Sequence, residues 1–142
     1  LVEGLGALWQ RGGCRDAALA APVRAALTTK DPVVAATARL QLGWCDDVAA
    51  LPGLLEDAVA GSELLRAESC AALAGFARGP AEPQARTALV AALADPSPVV
   101  QRAALVALGR WPTPQPDPAT ARALQARAPH LAYLLGARQS QP

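Results

Sequence analysis

The sequence predicts an all-α fold built from stacked antiparallel helical hairpins, and three observations support this prediction. Apolar residues make up 52% of the 142 positions while only 18% are charged, which excludes a disordered chain. Alanine dominates and β-branched residues are few, a composition that favours helices over strands. A sequence pattern also recurs with a period of 31 to 35 residues, which is typical of helical-repeat proteins.

The recurring pattern is clearest in two segments, 31–44 and 95–111. Each begins with Asp-Pro, continues through a pair of valines and ends with Leu-Gly close to a tryptophan. A weaker copy covers 62–76 and lacks the Asp-Pro start. When the copies are aligned, the leucine near the end of each is separated from the next by 31 and 35 residues: Leu42, Leu73 and Leu108.

Four of the five aromatic residues follow the same period. Trp9, Trp44, Phe76 and Trp111 are separated by 35, 32 and 35 residues. Trp9 therefore indicates an earlier copy whose first half lies outside this chain. We expect the later three aromatics to close the end of each hairpin against its partner helix. The alternative is an exposed aromatic row that binds a ligand.

Each copy carries residues that typically begin and end a helix. Asp31, Ser97 and Asp117 each precede a proline, so each is predicted to cap a helix that the proline starts. Apolar residues then return at helical spacing, as between Val100 and Leu108. Three glycines lie near helix ends and are expected to be left-handed there: Gly43, Gly75 and Gly109.

Further helices are predicted between these copies, at about 15–29, 47–60 and 82–94. Each period then holds two antiparallel helices joined by short turns. One such hairpin cannot bury both of its faces, so neighbouring hairpins must stack.

The chain divides into repeats and a distinct C-terminal part. Residues 1–111 are assigned to the repeats, the first of which is truncated. The proline-rich segment 112–118 is expected to form an extended connector. Divergent capping helices are predicted over 119–138, followed by a tail over 139–142.

The motif D-P-x-P-x-V followed by A-A-x-x-A-L-G resembles HEAT repeats, most closely the short HEAT-like repeats of phycobilisome lyases. The resemblance covers residues 1–111 and is clearest over 95–111. It implies a right-handed α-solenoid of about four hairpins. It also implies that the second helix of each hairpin lines a concave face.

The resemblance places four polar residues on or near that face, as candidates for contact with a partner: Arg39, Arg66, Gln101 and Arg102. In HEAT-like repeats, an arginine after the conserved apolar position commonly pairs with an aspartate of a neighbouring repeat. Arg66 holds that position, while Asp31 and Asp95 hold the aspartate positions. Arg66 is therefore expected to be structural, and Arg39 and Arg102 to be the stronger binding candidates.

Charge and cysteine content limit the classes of partner and compartment. The net charge is +1, so no overall field attracts nucleic acid or an anionic membrane. Residues 71–142 nevertheless carry seven basic and three acidic groups. Cys14, Cys45 and Cys70 form no Cys-x-x-Cys motif, and their odd number argues against disulfides and for a reducing, cytoplasmic compartment. Cys14 is expected to be an exposed thiol and Cys70 a core residue.

No catalytic, metal-binding or cofactor-binding motif is predicted. The sequence has one histidine, His130, so spacing predicts neither a metal site nor a Cys–His pair. The neighbouring carboxylates Asp46 and Asp47 would point apart on a helix and are interpreted as structural.

The predicted function is a non-catalytic scaffold that binds a protein or peptide partner, and an acidic partner would suit the arginines. Resemblance leaves two alternatives, a bilin lyase or isomerase subunit and a nucleic-acid-binding module like the HEAT-like DNA glycosylases. A third alternative is a spacer within a longer chain. A truncated repeat would also expose an apolar end and favour end-to-end self-association.

Overall fold

The computed structural model describes residues 4–5, 11–12, 14–113, 116–131 and 133–134. These residues form seven α-helices and no strand, which confirms the predicted all-α class. In the described part of the chain, no helix is long and apolar enough to cross a bilayer. The helices are α1 (Ala17–Ala25), α2 (Pro32–Trp44), α3 (Leu51–Ala60), α4 (Glu63–Leu73), α5 (Glu82–Ala92), α6 (Pro98–Leu108) and α7 (Pro118–Arg127).

The predicted caps are present at the starts of α2, α6 and α7. The Asp31 carboxylate accepts a hydrogen bond from the Val33 amide at 2.9 Å. Ser97 and Asp117 accept equivalent bonds at 3.2 and 3.0 Å. The proline after each cap lies in the first turn, where its missing N–H leaves no intrahelical bond unmade. Local chemistry therefore fixes where these three helices begin.

All three intervening helices are shorter than predicted, and the one predicted at 82–94 ends at Ala92. The predicted helix at 15–29 ends at Ala25 and continues as a 3₁₀ turn. The predicted helix at 47–60 begins as α-helix only at Leu51, after a separate 3₁₀ turn. Pro52 lies in the first turn of α3, and a proline is tolerated there but not deeper in a helix. The proline thus sets the start of α3.

Helices two apart in the chain pack against each other. Helix α4 contacts both α2 and α6, and α3 contacts α5. Consecutive helices pair as well, α3 with α4 and α5 with α6. Burying each leucine side chain contributes roughly 1.5–3 kcal/mol, and the alanines between them let the helices approach closely. The fully buried leucines include Leu42, Leu54, Leu73, Leu89, Leu105 and Leu108.

The prediction of left-handed glycines near the helix ends was wrong, and two of these glycines, Gly43 and Gly75, serve close packing instead. Gly109 has φ −65°, an ordinary right-handed value. A methyl group at Gly43 would meet the Leu54 side chain at 2.5 Å and Ala72 at 3.2 Å. A methyl group at Gly75 would overlap the backbone of Gly43 and Trp44. The end of α2 therefore lies directly against the end of α4.

The C-terminal part shares the core of the repeats. Helix α7 buries Ala121 and Leu124 in the same apolar cluster as the preceding helices. The 3₁₀ turn Pro129–Leu131 follows it and buries Leu131. Trp9, parts of the predicted capping helix at 129–138 and the predicted tail at 139–142 lie outside the described residues.

Candidate partner-binding groove

Large apolar side chains are exposed at one equivalent position of three helices. Val33 in α2, Leu64 in α4 and Val99 in α6 each lie directly before the aligned apolar residue of their repeat. Their side chains are between 54% and 72% exposed. Because α4 contacts both α2 and α6, the three residues belong to one face of the packed helices. We call them the apolar row.

A groove of about 530 Å³ continues from the apolar row between α4 and α6. Leu64 and Val99 line it, and Val106, which is 53% exposed, extends its apolar wall. The groove has room because most of its remaining walls are small residues: Ala67, Ala71, Ala74, Gly75, Ala103 and Ala107. A concave, largely apolar surface of this volume is typical of a ligand or peptide site.

Trp44 lines this groove and is 39% exposed, whereas the other two aromatics of the series are buried. Phe76 is 0% and Trp111 7% exposed, so the predicted role of closing a hairpin is confirmed for these two and wrong for Trp44. Trp44 follows Val34, its aligned apolar residue, one position sooner than the other two aromatics follow theirs. One residue turns a helical side chain by about 100°. Trp44 consequently leaves the core and enters the groove.

Cationic side chains surround the Trp44 end of the groove. Arg110 lines the groove there, and Arg78 and Arg110 line an adjoining depression that also contains Trp44, while Arg102 lines the groove further towards the start of α6. Among the described residues, none of these three arginines forms an ion pair with a carboxylate. The Arg102 guanidinium lies over the Tyr133 ring, 5.9 Å from its centroid. Glu68 is the acidic residue of the groove wall.

Arg66 makes the inter-repeat contact that the sequence predicted. Its Nε donates to Asp95 Oδ2 at 2.8 Å and its Nη2 donates to Asp95 Oδ1 at 3.0 Å. Its Nη1 also donates to the Gly61 carbonyl at 3.0 Å. The hydrogen bonds from Arg66 and from the Ser97 amide hold the pKa of Asp95 below its ordinary value. Arg66 thereby joins α4 to the turn before α6.

Two other predicted site residues are also engaged within the fold. Arg39 Nε donates to Asp57 Oδ2 at 2.5 Å, and the side chain lies across Gly53 at the start of α3. Gln101 Nε2 donates to the Asp95 carbonyl at 2.8 Å. Of the four candidates, Arg102 alone lines the groove.

The groove residues that the sequence did not single out are Arg110 and the apolar row, while Trp44 was singled out but expected to close a hairpin. The spacing of Trp44 was a usable signal, because it differs by one residue from the other copies. Arg110 follows Gly109 at the end of the best repeat copy, in a position that periodicity alone does not mark. The apolar row was hidden because an apolar residue in a helix is usually assigned to the core.

The expectation of a free, exposed Cys14 was wrong, because Cys14 and Cys45 form a disulfide with their Cα atoms 5.5 Å apart. Cys45 occupies the position that Phe76 and Trp111 hold in the other copies. Cys70 is free and buried as predicted, and burial raises the pKa of its thiol to about 11. Disulfides persist mainly in oxidising environments, so the cysteines do not support the reducing compartment expected from their number.

The neighbouring carboxylates after α2 have separate structural roles. Asp47 is buried, caps the following 3₁₀ turn and accepts from Arg24 Nε at 2.6 Å. Asp46 has φ 57°, and its Oδ1 is buried without a hydrogen-bond partner among the described residues. Burial, and then the charge of Asp47, raises the pKa of Asp46. In the described part of the chain, no three His, Cys, Asp or Glu side chains are grouped as metal ligands.

Comparisons of the chain with protein-family models, curated proteins and solved structures find no match. The side chains that line the groove are therefore the basis for the proposed function.

Proposed function

We propose that the chain is a HEAT-like helical-repeat module that binds a protein or peptide partner and catalyses no reaction. In this proposal its hairpins stack as a right-handed α-solenoid, and α2, α4 and α6 form the binding face. The packing of α4 between α2 and α6 supports this arrangement. The contact of Arg66 with Asp95 also supports it, because such a pair joins successive repeats.

The apolar row and its continuation into the groove carry the proposal. Three repeats place a large apolar side chain at the same solvent-exposed position. Exposed apolar side chains clustered on one face of a folded protein are typical of interaction surfaces. An extended face of this kind distributes binding over many contacts, as helical-repeat scaffolds do.

The proposed binding surface differs from the one expected from the sequence. Arg39 and Arg66 are assigned to stability, because each is paired with a carboxylate. Gln101 is assigned to the turn before α6, where it bonds a backbone carbonyl. Arg102 is kept as a binding residue and is joined by Trp44, Arg110 and the apolar row.

A triple substitution of the apolar row tests the proposal. The partner would be isolated by affinity purification from the source cell and identified by mass spectrometry, then purified for calorimetric titration. We expect Val33→Ser, Leu64→Ser and Val99→Ser together to weaken binding tenfold or more. The exposed Val59 on α3 provides the control, since Val59→Ser removes the same kind of side chain away from this face. Equal affinities of the triple variant and the wild type would refute the proposal.

A further inference from the structure

The chemistry of the groove also identifies the kind of partner that would fill it, if the groove is the binding site proposed above. Leu64 and Val99 of the apolar row, together with Val106, offer a strip of aliphatic side chains beside walls of alanine and glycine. Small residues along a groove leave room for bulky side chains of a ligand. A helix with one apolar face matches such a strip through residues at positions i, i+3, i+4 and i+7.

The positions of the arginines also indicate where a partner should carry negative charge. Arg102 and Arg110 are eight residues apart at the α6 side of the groove, and Val106 lies midway between them in the sequence. At helical rise, eight residues span roughly 12 Å, about two turns of helix. Two acidic residues separated by seven or eight positions on a partner helix would match this spacing.

Arg102 is held in a geometry that suits a carboxylate. Its guanidinium lies over the Tyr133 ring, 5.9 Å from the centroid, and Tyr133 is itself more than half exposed. A guanidinium over a ring face keeps its N–H edge available, and that edge can bind a carboxylate through two hydrogen bonds. The contact also limits the conformations of the arginine before binding, which reduces the entropic cost of forming the pair.

A second copy of the chain is a poor occupant of this groove. In a symmetric dimer, the same patch of both copies would meet across a two-fold axis. Arg78, Arg102 and Arg110 of one copy would then approach those of the other, and Glu68 alone would oppose them on the groove wall. Like charges brought together in this way disfavour the contact.

Nucleic acid and membrane surfaces also fit less well than a helix. Binding to the phosphates of nucleic acid relies on many contacts from cationic side chains. The residues of the apolar row carry no charge and cannot make such contacts. Vesicle binding through charge requires a larger basic cluster than the arginines at the Trp44 end.

We therefore propose that the groove binds an amphipathic helix of a partner protein that carries two acidic residues about two turns apart. The apolar face of this helix packs on Leu64, Val99 and Val106. Its acidic residues pair with Arg102 and Arg110, and its end packs against Trp44.

The test is a selection from a displayed library of amphipathic helical peptides in which the polar positions are randomised. Peptides selected on the wild-type protein would be sequenced, synthesised and titrated, with the tryptophan fluorescence change that is lost in Trp44→Phe as a second readout of occupancy. We expect enrichment of Asp or Glu pairs seven or eight positions apart. Arg110→Glu and Arg102→Glu should each lower affinity at least tenfold, and peptides with lysine at the paired position should recover binding to the variant.

Matched controls separate the partner assignment from the proposed function. Arg122→Glu changes an exposed arginine on α7, away from the groove, and should leave affinity unchanged. Peptides that need Trp44 and the apolar row but show no acidic enrichment would overturn the partner assignment and leave the proposed function standing. Peptides whose binding ignores the apolar row would overturn both.

Three further outcomes would also overturn the partner assignment. One is tighter binding of a single-stranded oligonucleotide than of any selected peptide, lost in Arg102→Glu. Another is binding to vesicles of phosphatidylglycerol that depends on the same arginines. The third is self-association in sedimentation experiments that Arg110→Glu strengthens.

Discussion

The tryptophan at the end of α2 follows its aligned valine one residue sooner than the tryptophan at the end of α6, and the two helix ends differ in burial and bonding as a result. At the end of α6, Trp111 is buried and its indole N–H donates to Glu82 Oε1 at 2.7 Å. At the end of α2, the tryptophan comes one residue earlier and faces the groove. Cys45 takes the core position there and is joined to Cys14.

This difference shows how a repeat can obtain a binding residue without losing its core. A buried aromatic closes a hairpin through apolar contact, and a disulfide can close it by a covalent bond instead. Once Cys45 supplies the closure, the tryptophan is available to the surface. Under the proposed function, the repeat at α2 would combine a structural role for Cys45 and a binding role for Trp44 in two neighbouring residues.

The largest expected contrast is between the two tryptophans. Trp111→Ala should destabilise the fold by about 3–5 kcal/mol, because it removes a buried aromatic and leaves a cavity. Trp44→Ala should cost no more than about 1 kcal/mol, because the side chain is partly in solvent. Denaturant unfolding followed by circular dichroism would measure both values. Equal losses of stability would contradict the proposed difference between the two helix ends.

Breaking the disulfide should have the next largest effect. Cys14 and Cys45 are separated by 31 residues, and opening a loop of this size should lower the free energy of unfolding by about 3 kcal/mol. The measurement compares unfolding with and without a reducing agent. A Cys14→Ser/Cys45→Ser variant serves as the control and should not respond to reductant. A wild-type protein equally stable in both conditions would show that the bond does not close this repeat.

Gly75→Ala tests how closely the end of α2 lies against α4. The added methyl group meets backbone atoms of Gly43 and Trp44, which cannot move aside as a flexible side chain could. We expect a loss of about 1–3 kcal/mol from overpacking. At Gly4, which is also helical, a methyl group meets open space, so Gly4→Ala should not lower the melting temperature. A neutral Gly75→Ala would mean that these two helix ends are further apart.

The smallest expected effect is at Asp46, in the turn that follows Trp44. Its carboxylate has a buried oxygen without a partner among the described residues and a raised pKa, so the fold favours the protonated form. Asp46→Asn removes the charge and keeps a residue type that tolerates the positive φ of this position. It should stabilise the fold at pH 7 by up to about 1 kcal/mol.

The pH dependence of the stability gained by Asp46→Asn tests whether the buried charge is its cause. A raised folded pKa contributes stability below the unfolded value, near 3.8, and loses it as pH rises through the folded value. The advantage of Asp46→Asn should therefore be present at pH 7 and disappear near pH 3. A gain that persists at acidic pH would point to a cause other than the buried charge.

Local features were predictable from the sequence, and pairings between distant residues were mostly not. The caps at Asp31, Ser97 and Asp117 need only the residues next to them, so their sequence signals were sufficient. Contacts that depend on which side chain faces which helix require the fold itself. The Cys14–Cys45 bond and the Arg39–Asp57 pair are of this kind.

The candidate site was partly predictable for the same reason. The Arg66–Asp95 pair could be expected because resemblance to HEAT-like repeats supplied the missing spatial relation. Trp44 was wrongly expected to close a hairpin. The repeat period varies from 31 to 35 residues between copies, and this variation conceals a shift of one position. Comparing the spacing from Val34 to Trp44 with the longer one from Val100 to Trp111 would have found it.

The covalent link between Cys14 and Cys45 also determines how the chain would respond to mechanical load. When the two ends are pulled apart, tension passes through the sulfur atoms and bypasses the segment between Cys14 and Cys45, which are 31 positions apart. About 110 Å of contour length would then stay hidden in a force–extension trace until a reductant is added. Helices α1 and α2 would be shielded from stretching, while the hairpins after them unravel.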